Sequence, residues 1–278
     1  MRLIYTILAG LVLMGCSHRA VSAAVQQEKE PAVARQDTLL AKLDTKLDEY
    51  VASMTWLGFE EKARECDYII SLVSDSLIRN HVAVYLYNKY LNSNLMGDEA
   101  VAIYLTDNWF TPGRAAFEDY ATLATARLFA DFNRQSLLGM KAPPLTAYTP
   151  EGQAAEALPQ DGRLKVLFIY DTSCATCKLE SVLMEEFFSG YSGQEFDFVA
   201  FYAGSDAAAW QQWRDSHFNG LADGNSPIRL QDFWDPEVES DFQRKYGVLS
   251  TPRIFLIDED GYIAGRRLDA QALRQLLQ

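Results

Sequence analysis

The sequence predicts an α/β domain, a mixed sheet flanked by helices, preceded by an all-α bundle domain. Three observations carry that expectation. From residue 145 to 278, short apolar strands alternate with helical stretches. From 36 to 137, apolar residues recur at three- and four-residue spacing and no strand-like alternation competes. Between the two lies Gly139-Met140-Lys141-Ala142-Pro143-Pro144-Leu145. That run cannot continue a helix, because a residue ahead of proline is pushed to extended geometry.

In the helical part, Leu39, Leu40, Leu43, Leu47 and Val51 form the first stripe. After Gly58, Ala63, Cys66, Ile69, Ile70 and Val73 form a second. Val82, Tyr85, Leu86, Tyr87 and Leu91 form a third, Gly97 and Pro112-Gly113 punctuate the series, and Tyr120–Leu138 reads as a further helix. Four to six helices with short connections point to a bundle. Tyr85, Tyr87, Tyr90, Trp109 and Phe110 are read as packing rather than a ligand box.

In the second part, Lys165–Tyr170 and Phe196–Tyr202 are apolar strands with a helix, Cys174–Phe188, between them. A β-α-β unit needs a crossover, so these strands are expected to be parallel. Leu179, Val182, Leu183 and Phe187 are expected to face inward. Helices follow at Ala207–Ser216 and Glu237–Tyr246. Strands at Arg253–Ile257 and Tyr262–Arg267 flank the Asp260-Gly261 turn, and Leu268–Leu277 closes the chain as a helix.

The 278 residues carry a net charge of −13. A balance this acidic argues against binding nucleic acid or anionic lipid through charge. Residues 1–15 read as a signal peptide: Met1-Arg2, then an apolar run from Leu3 to Met14 that is too short to stay in a bilayer. Leu13-Met14-Gly15-Cys16 resembles the lipobox of bacterial lipoproteins. That family implies cleavage before Cys16 and acylation of its side chain, a lipid anchor with no spanning helix. An ordinary cleaved signal with an incidental Cys16 is the other reading. By the same analogy, Ser17 rather than Asp after the cysteine favours the outer membrane, facing the periplasm. Residues 16–35 are polar and small and read as a tether. The domains are then 1–15, 16–35, a helical domain 36–137 and an α/β domain 138–278.

The motif that carries chemistry is Cys174-Ala175-Thr176-Cys177, directly after an apolar strand and at a helix start. The spacing puts both sulfurs on one face of the first helical turn. Free N–H groups and the positive end of the helix dipole favour a thiolate at Cys174, the attacking species. Cys177, one turn in, can attack the resulting mixed disulfide and release the partner. A structural zinc site needs four ligands; no second CxxC exists, and His18, His81 and His217 are scattered, so no metal and no cofactor is expected. Cys66 stands alone and is read as a small buried side chain. Thr251-Pro252, before an apolar strand, is a candidate cis bond facing the cysteines. It would there expose backbone for strand-like pairing with a peptide. A trans proline that begins an edge strand is the alternative.

On these motifs residues 139–278 resemble the TlpA/ResA-like branch of the thioredoxin superfamily. The matching segments are Gly139-Met140-Lys141-Ala142-Pro143, the CxxC, Tyr246-Gly247-Val248, and Thr251-Pro252 before Ile254-Phe255-Leu256-Ile257-Asp258. Residues 36–137 are similar, by diffuse pattern, to the helical domain that precedes such redox domains in some bacterial lipoproteins. The resemblance implies a thioredoxin-like fold and a membrane-tethered thiol–disulfide oxidoreductase outside the cytoplasm, often a reductant. The implied partners are envelope protein thiols and disulfides and a protein that donates or accepts electrons. It implies Glu180 as a proton acceptor for Cys177, against the plainer reading of a solvated helix side chain. The chain departs from the family at Ser173 (usually Trp), Thr176 (usually Pro) and Phe168 (a buried acid in thioredoxins). Asp171 and Lys178 bracket the cysteines with opposite charges and bias the thiolate in opposite directions. Asp171, three residues before Cys174, is wrong for a peroxidase, which wants Thr or Ser there. The relaxed neighbourhood of the cysteines motivates a second reading, an interaction or scaffold lipoprotein whose helical domain binds a partner. Without His or Pro between the cysteines, the redox reading leans to reduction or isomerisation of disulfides.

Overall fold

The structure is a computed structural model that describes residues 38–221 and 226–278. The signal segment 1–15, the tether 16–35 and Cys16 lie outside the described residues. The chain divides into two compact units, Met1–Gly58 and Phe59–Gln278. In the first, residues 38–53 form a helix, α1, which carries the first leucine stripe.

The second unit begins with four helices: α2 (Phe59–Leu72), α3 (Ser76–Leu91), α4 (Glu99–Leu105) and α5 (Tyr120–Asn133). Asp75 caps α3 by accepting the N–H groups of Leu77 and Ile78, and Asp119 caps α5 by accepting that of Thr122. α4 runs on into a π-helical turn, Thr106–Phe110. Asp67 accepts hydrogen bonds from Trp109 Nε1 at 2.6 Å and Tyr104 Oη at 2.5 Å. Tyr87, Tyr90, Trp109 and Phe110 are buried, as core packing requires. Lys62 and Asp98 form a buried ion pair at 2.6 Å, and Ser93 Oγ donates to the other Asp98 oxygen at 2.6 Å.

A seven-stranded sheet follows, in the order β2-β1-β5-β4-β3-β6-β7. Its strands are β1 (Thr146–Tyr148), β2 (Ala154–Glu156), β3 (Leu164–Tyr170), β4 (Phe196–Tyr202), β5 (Ile228–Trp234), β6 (Arg253–Ile257) and β7 (Ile263–Gly265). Helices α6 (Ala175–Ser189), α7 (Ala207–Ser216), α8 (Phe242–Lys245) and α9 (Ala270–Leu277) complete it. β3, β4 and β5 are parallel; β6 runs antiparallel to β3, and β7 to β6. Every residue of β3 and β4 is buried, which is why both read as nearly continuous apolar runs, interrupted by Lys165 in β3 and Asp197 in β4.

Four sequence expectations are corrected. β5 was not foreseen, nor were β1 and β2. The helix expected at Glu237–Tyr246 shortens to the four residues of α8. The helix expected to reach Leu138 ends at Asn133. On α6, Leu179, Val182 and Leu183 point outward, being 58%, 56% and 40% exposed, and only Phe187 of the expected face is buried. The inward face is Cys177, Glu180, Ser181, Met184, Phe187 and Phe188.

The segment after α5 is stitched to the sheet edge. Gly139 N donates to Ile263 O at 2.9 Å, Ile263 N to Met140 O at 2.8 Å, and Ala142 N to Gly261 O at 2.9 Å. Just past β7, Arg266 is fully buried and reaches back into the helices. Nη1 donates to Ser136 O at 2.6 Å and Nη2 to Asn133 Oδ1 at 2.7 Å. Nε lies 3.0 Å from Glu99 Oε1, an ion pair without hydrogen-bond alignment. Burial pushes the Arg266 guanidinium down to about 10, against the pull of Glu99, so it stays charged at neutral pH.

Lys62→Met should leave Asp98 buried without its counter-charge. We expect a loss of about 3 kcal/mol in unfolding free energy, read by denaturant titration; a loss under about 1 kcal/mol would show that the pair is not structurally important.

Candidate active site

α6 starts at the cysteines. Cys174 is its N-cap, in extended conformation, and its Sγ accepts the N–H of Cys177 at 3.1 Å. The turn ahead of it is set by Asp171, whose Oδ1 accepts from Ser173 N at 2.7 Å and Ser173 Oγ at 2.5 Å, while its carbonyl accepts from Cys174 N at 3.1 Å. Thus the carboxylate of Asp171 is used in the turn.

The two thiols sit in different surroundings. Cys174 is partly exposed, and Cys177 is fully buried in the cluster that holds Phe168, Tyr170 and Met184. For Cys174, burial works against the thiolate, but hydrogen bonds from the Cys177 thiol, the Thr251 side chain and the N–H groups of Cys177 and Thr176 outweigh it, and its pKa is lowered. The Thr251 carbonyl, 3.4 Å from Cys174 Sγ, accepts from the protonated form and so pulls the other way. For Cys177, burial raises the pKa, and the neighbouring Cys174 adds to the shift. The pair is therefore divided into an accessible sulfur that ionises readily and a buried one that does not.

The Thr251-Pro252 peptide bond is cis, and its loop lies against Cys174. The loop leaves Tyr246, a buried ring packed edge-on against Phe255 with centroids 5.3 Å apart, whose hydroxyl donates to Pro143 O. Its last anchor is Arg253 Nε, which donates to Gly247 O at 3.2 Å. The Gly139–Pro143 segment, about a hundred residues earlier in the chain, thus joins Tyr246–Val248 and the neighbouring Thr251-Pro252 in one continuous support for the site.

The remaining sequence candidates divide. Glu180 lies one turn beyond Cys177 and is buried, not solvated. Its Oε2 accepts Ala270 N at 2.7 Å at the start of α9; the described hydrogen bond of Glu180 goes there, not to Cys177. Cys66 is buried in the helical region, and burial pushes its thiol up to about 12 against a hydrogen bond from Tyr90. Lys178 is exposed and has no ion pair among the described residues. Among the described residues, no three or more His, Cys, Asp or Glu side chains are grouped to hold a metal ion, and no helix is long and apolar enough to cross a membrane. Sequence reading missed Asn133 and Arg266, whose side chains support the loop from behind. Neither lies near the CxxC in sequence, and no pattern marks them.

Residues 137–272 match the family model described as Redoxin. This segment is a Redoxin domain. Its resemblance to TlpA/ResA-like proteins therefore holds at the level of the thioredoxin superfamily. A thioredoxin-like protein from Bacteroides caccae superimposes with a TM-score of 0.62 at 11% identity, over 85% of this chain and 83% of that one, so the fold, helical region included, is shared. The thioredoxin domain of a thiol-disulfide oxidoreductase from Bacteroides vulgatus matches with a TM-score of 0.41 at 13% identity, over 51% of this chain and 98% of that one. A thiol:disulfide interchange protein from a Bacteroides species matches with a TM-score of 0.40 at 16% identity, over 51% and 88%. No curated protein matches the sequence.

Iodoacetamide should alkylate Cys174 first. Because its folded pKa is lowered, its rate should rise with pH and level off below the ordinary thiol range, while Cys66 and Cys177 in folded protein stay unmodified through pH 9. Equal labelling of all three, mapped by peptide mass spectrometry, would contradict the division described. Glu180→Ala should remove the Ala270 acceptor and lower stability by about 1–3 kcal/mol, with no change in that alkylation profile.

Proposed function

We propose that the Redoxin domain is a thiol–disulfide oxidoreductase that reduces or isomerises disulfides of cell-envelope proteins, tethered by lipid at Cys16 to the periplasmic face of a membrane, most consistently the outer membrane. The observation that carries the reading is the opposed pair: Cys174 with lowered pKa at the helix N-cap, Cys177 buried behind it with raised pKa.

The chemistry follows from that asymmetry. The Cys174 thiolate attacks one sulfur of a partner disulfide; the partner's S–S bond breaks, a mixed disulfide forms, and the displaced partner thiolate takes a proton. Cys177 then loses its proton and attacks Cys174 Sγ. The mixed disulfide breaks, the second partner thiol leaves, and Cys174–Cys177 holds the oxidised pair. Two electrons have passed to the partner, and a dithiol protein must return them. Isomerisation is the same first step with the partner's own thiol, not Cys177, resolving the intermediate. Thr251 and Pro252 are the substrate-binding segment in this reading: the Thr251 backbone lies beside the attacking sulfur, where an extended peptide can pair with it. A cap that favours thiolate stabilises the reduced pair, which is the poise of an isomerase or a partner-fed reductant more than of a strong reductant.

The location rests on sequence. The run ending in Leu13-Met14-Gly15-Cys16 and the polar 16–35 stretch support a lipid anchor and a tether.

Cys177→Ala should accumulate a mixed disulfide through Cys174 with envelope proteins, visible as adducts on non-reducing gels, and Cys174→Ala should form none. Wild-type protein should reduce insulin. A reduced wild type that leaves insulin intact, together with a Cys177→Ala variant that traps nothing, would end the oxidoreductase reading. Cys16→Ala should move the protein from the membrane to the soluble envelope fraction; retention in the membrane would refute the lipid anchor alone.

A further inference from the structure

The helices that precede the Redoxin domain touch the back of the loop that faces Cys174, and this contact suggests a role for them. We propose that Asn133 and Arg266 are positioning residues, holding the Thr251-Pro252 loop against Cys174 from the helical side and thereby setting how extended disulfide partners are bound. The proposal rests on Cys174 being the nucleophile.

The loop between α8 and β6 has no regular structure of its own. What places it is its ends. At one end is Gly247, with φ of 63°, a conformation that a side chain resists. A Cβ there would lie 2.5 Å from Asn133 Oδ1 and 3.3 Å from Phe132 O. The loop backbone therefore rests directly on the last turn of α5, with no room for a methyl group. Arg244, on α8 just before the loop, stands over the Phe132 ring at 5.7 Å, a second contact with the same turn.

Asn133 is itself held on two sides. Its Nδ2 donates to Phe129 O at 2.9 Å, which fixes the carboxamide along α5. Its Oδ1 accepts Arg266 Nη2 at 2.7 Å. Arg266 in turn donates to Ser136 O at 2.6 Å and pairs with Glu99 on α4 at 3.0 Å. The oxygen that Gly247 packs against is thus locked by a buried cation fixed to α4, to the turn after α5 and to the end of β7. On the far side, Arg253 Nε binds Gly247 O at 3.2 Å, so the glycine is gripped from both domain and helices. Four residues later, Thr251 O sits 3.4 Å from Cys174 Sγ. A shift of the Gly247 seat has only that short span in which to be absorbed before it reaches the sulfur.

A small disulfide needs only Cys174. An extended one also needs the Thr251 backbone in register beside it. Loosening the seat should therefore weaken binding of the second and spare reaction with the first.

The test uses the full chain in single-turnover oxidation of the reduced protein, comparing insulin with 2-hydroxyethyl disulfide. Asn133→Leu keeps the side-chain volume and removes the locked oxygen; it should raise the half-saturating insulin concentration about fivefold or more with a limiting rate within about twofold, and leave the 2-hydroxyethyl disulfide rate unchanged. Asn133→Asp keeps that oxygen and its Arg266 bond but loses the donation to Phe129 O, so its half-saturating insulin concentration should lie nearer to wild type than to Asn133→Leu. Arg266→Lys, which keeps the charge beside Glu99 and loses the Asn133 bond, should reproduce the Asn133→Leu defect and supplies the measurement if that variant does not fold. Lys62→Met is the control, since it destabilises the helices without touching the seat, and should change neither disulfide. Insulin saturation that is unchanged in the seat variants, or shifted equally in Lys62→Met, overturns the proposal while leaving the oxidoreductase standing. A wild type inert to both disulfides instead removes the reading on which it rests.

Discussion

The site depends on one interaction, the N–H of Cys177 donating to the sulfur of Cys174 across the first turn of α6. A helix start must satisfy its free N–H groups, usually with a Ser, Thr, Asp or Asn side chain. Here a cysteine does it. A thiol is a weak acceptor and a thiolate a strong one, so the cap is best made when Cys174 is ionised. The helix start and the nucleophile are then the same feature: what orders α6 also readies the sulfur. Because Cys174 takes the cap, Cys177 falls one turn in, and its thiol is carried under the sheet-facing side among Phe168, Tyr170 and Met184. The division between an ionisable and a reluctant sulfur follows from the helix geometry and the core.

The same cap explains which parts of the sequence could be read and which misled. The apolar runs of β3 and β4, the CxxC at the strand–helix junction, the cis Thr251-Pro252 bond and the closing β6–β7 hairpin were all legible, because each is a local pattern with one physical meaning. The inward face of α6 was not. Apolar residues lie all around that helix, and periodicity alone favoured Leu179, Val182 and Leu183. Fixing Cys177 inward decides otherwise: the residues three, four and seven further on are Glu180, Ser181 and Met184, and these are the buried ones. β5 escaped for another reason. Arg229 and Gln231 interrupt its apolar pattern, yet both donate to the fully buried Asp197 on β4, at 2.6 and 3.1 Å for the Asp197 Oδ2 contacts. A strand whose polar residues are satisfied across the ladder has no signature in its own sequence.

The family departures also acquire a physical sense. Phe168 stands where thioredoxins carry a buried acid, and it is packed into a row of rings, 5.3 Å from Tyr170 and 6.2 Å from Phe198 by centroid. Strand register places Phe168, Ala200 and Asp232 in one row across β3, β4 and β5. The carboxylate of that row is therefore two strands away, 3.6 Å from Arg214, where burial raises its pKa against the pull of the arginine. Glu180, three residues after Cys177, is committed to the start of α9, alongside the Asp269 cap that accepts Ala272 N. With both acids engaged elsewhere, the apolar wall around Cys177 is what keeps its proton in place.

Arg266 extends this logic to the whole second unit. A buried arginine is an expensive way to join two layers: its desolvation offsets much of the attraction to Glu99, and an apolar contact of the same size would serve stability as well. An apolar contact, however, has no preferred orientation. The guanidinium has a planar set of donors that must meet Ser136 O and Asn133 Oδ1 while Nε lies beside Glu99, and only one placement of α4 and α5 against the end of β7 does this. The segment 139–142 then enters the sheet edge in fixed register. Since Gly247 leaves no space between the loop and Asn133, uniqueness of that placement is transmitted to the backbone beside Cys174. What the buried charge contributes is therefore geometric: one arrangement of helices on sheet, and with it one position for the loop that faces the sulfur.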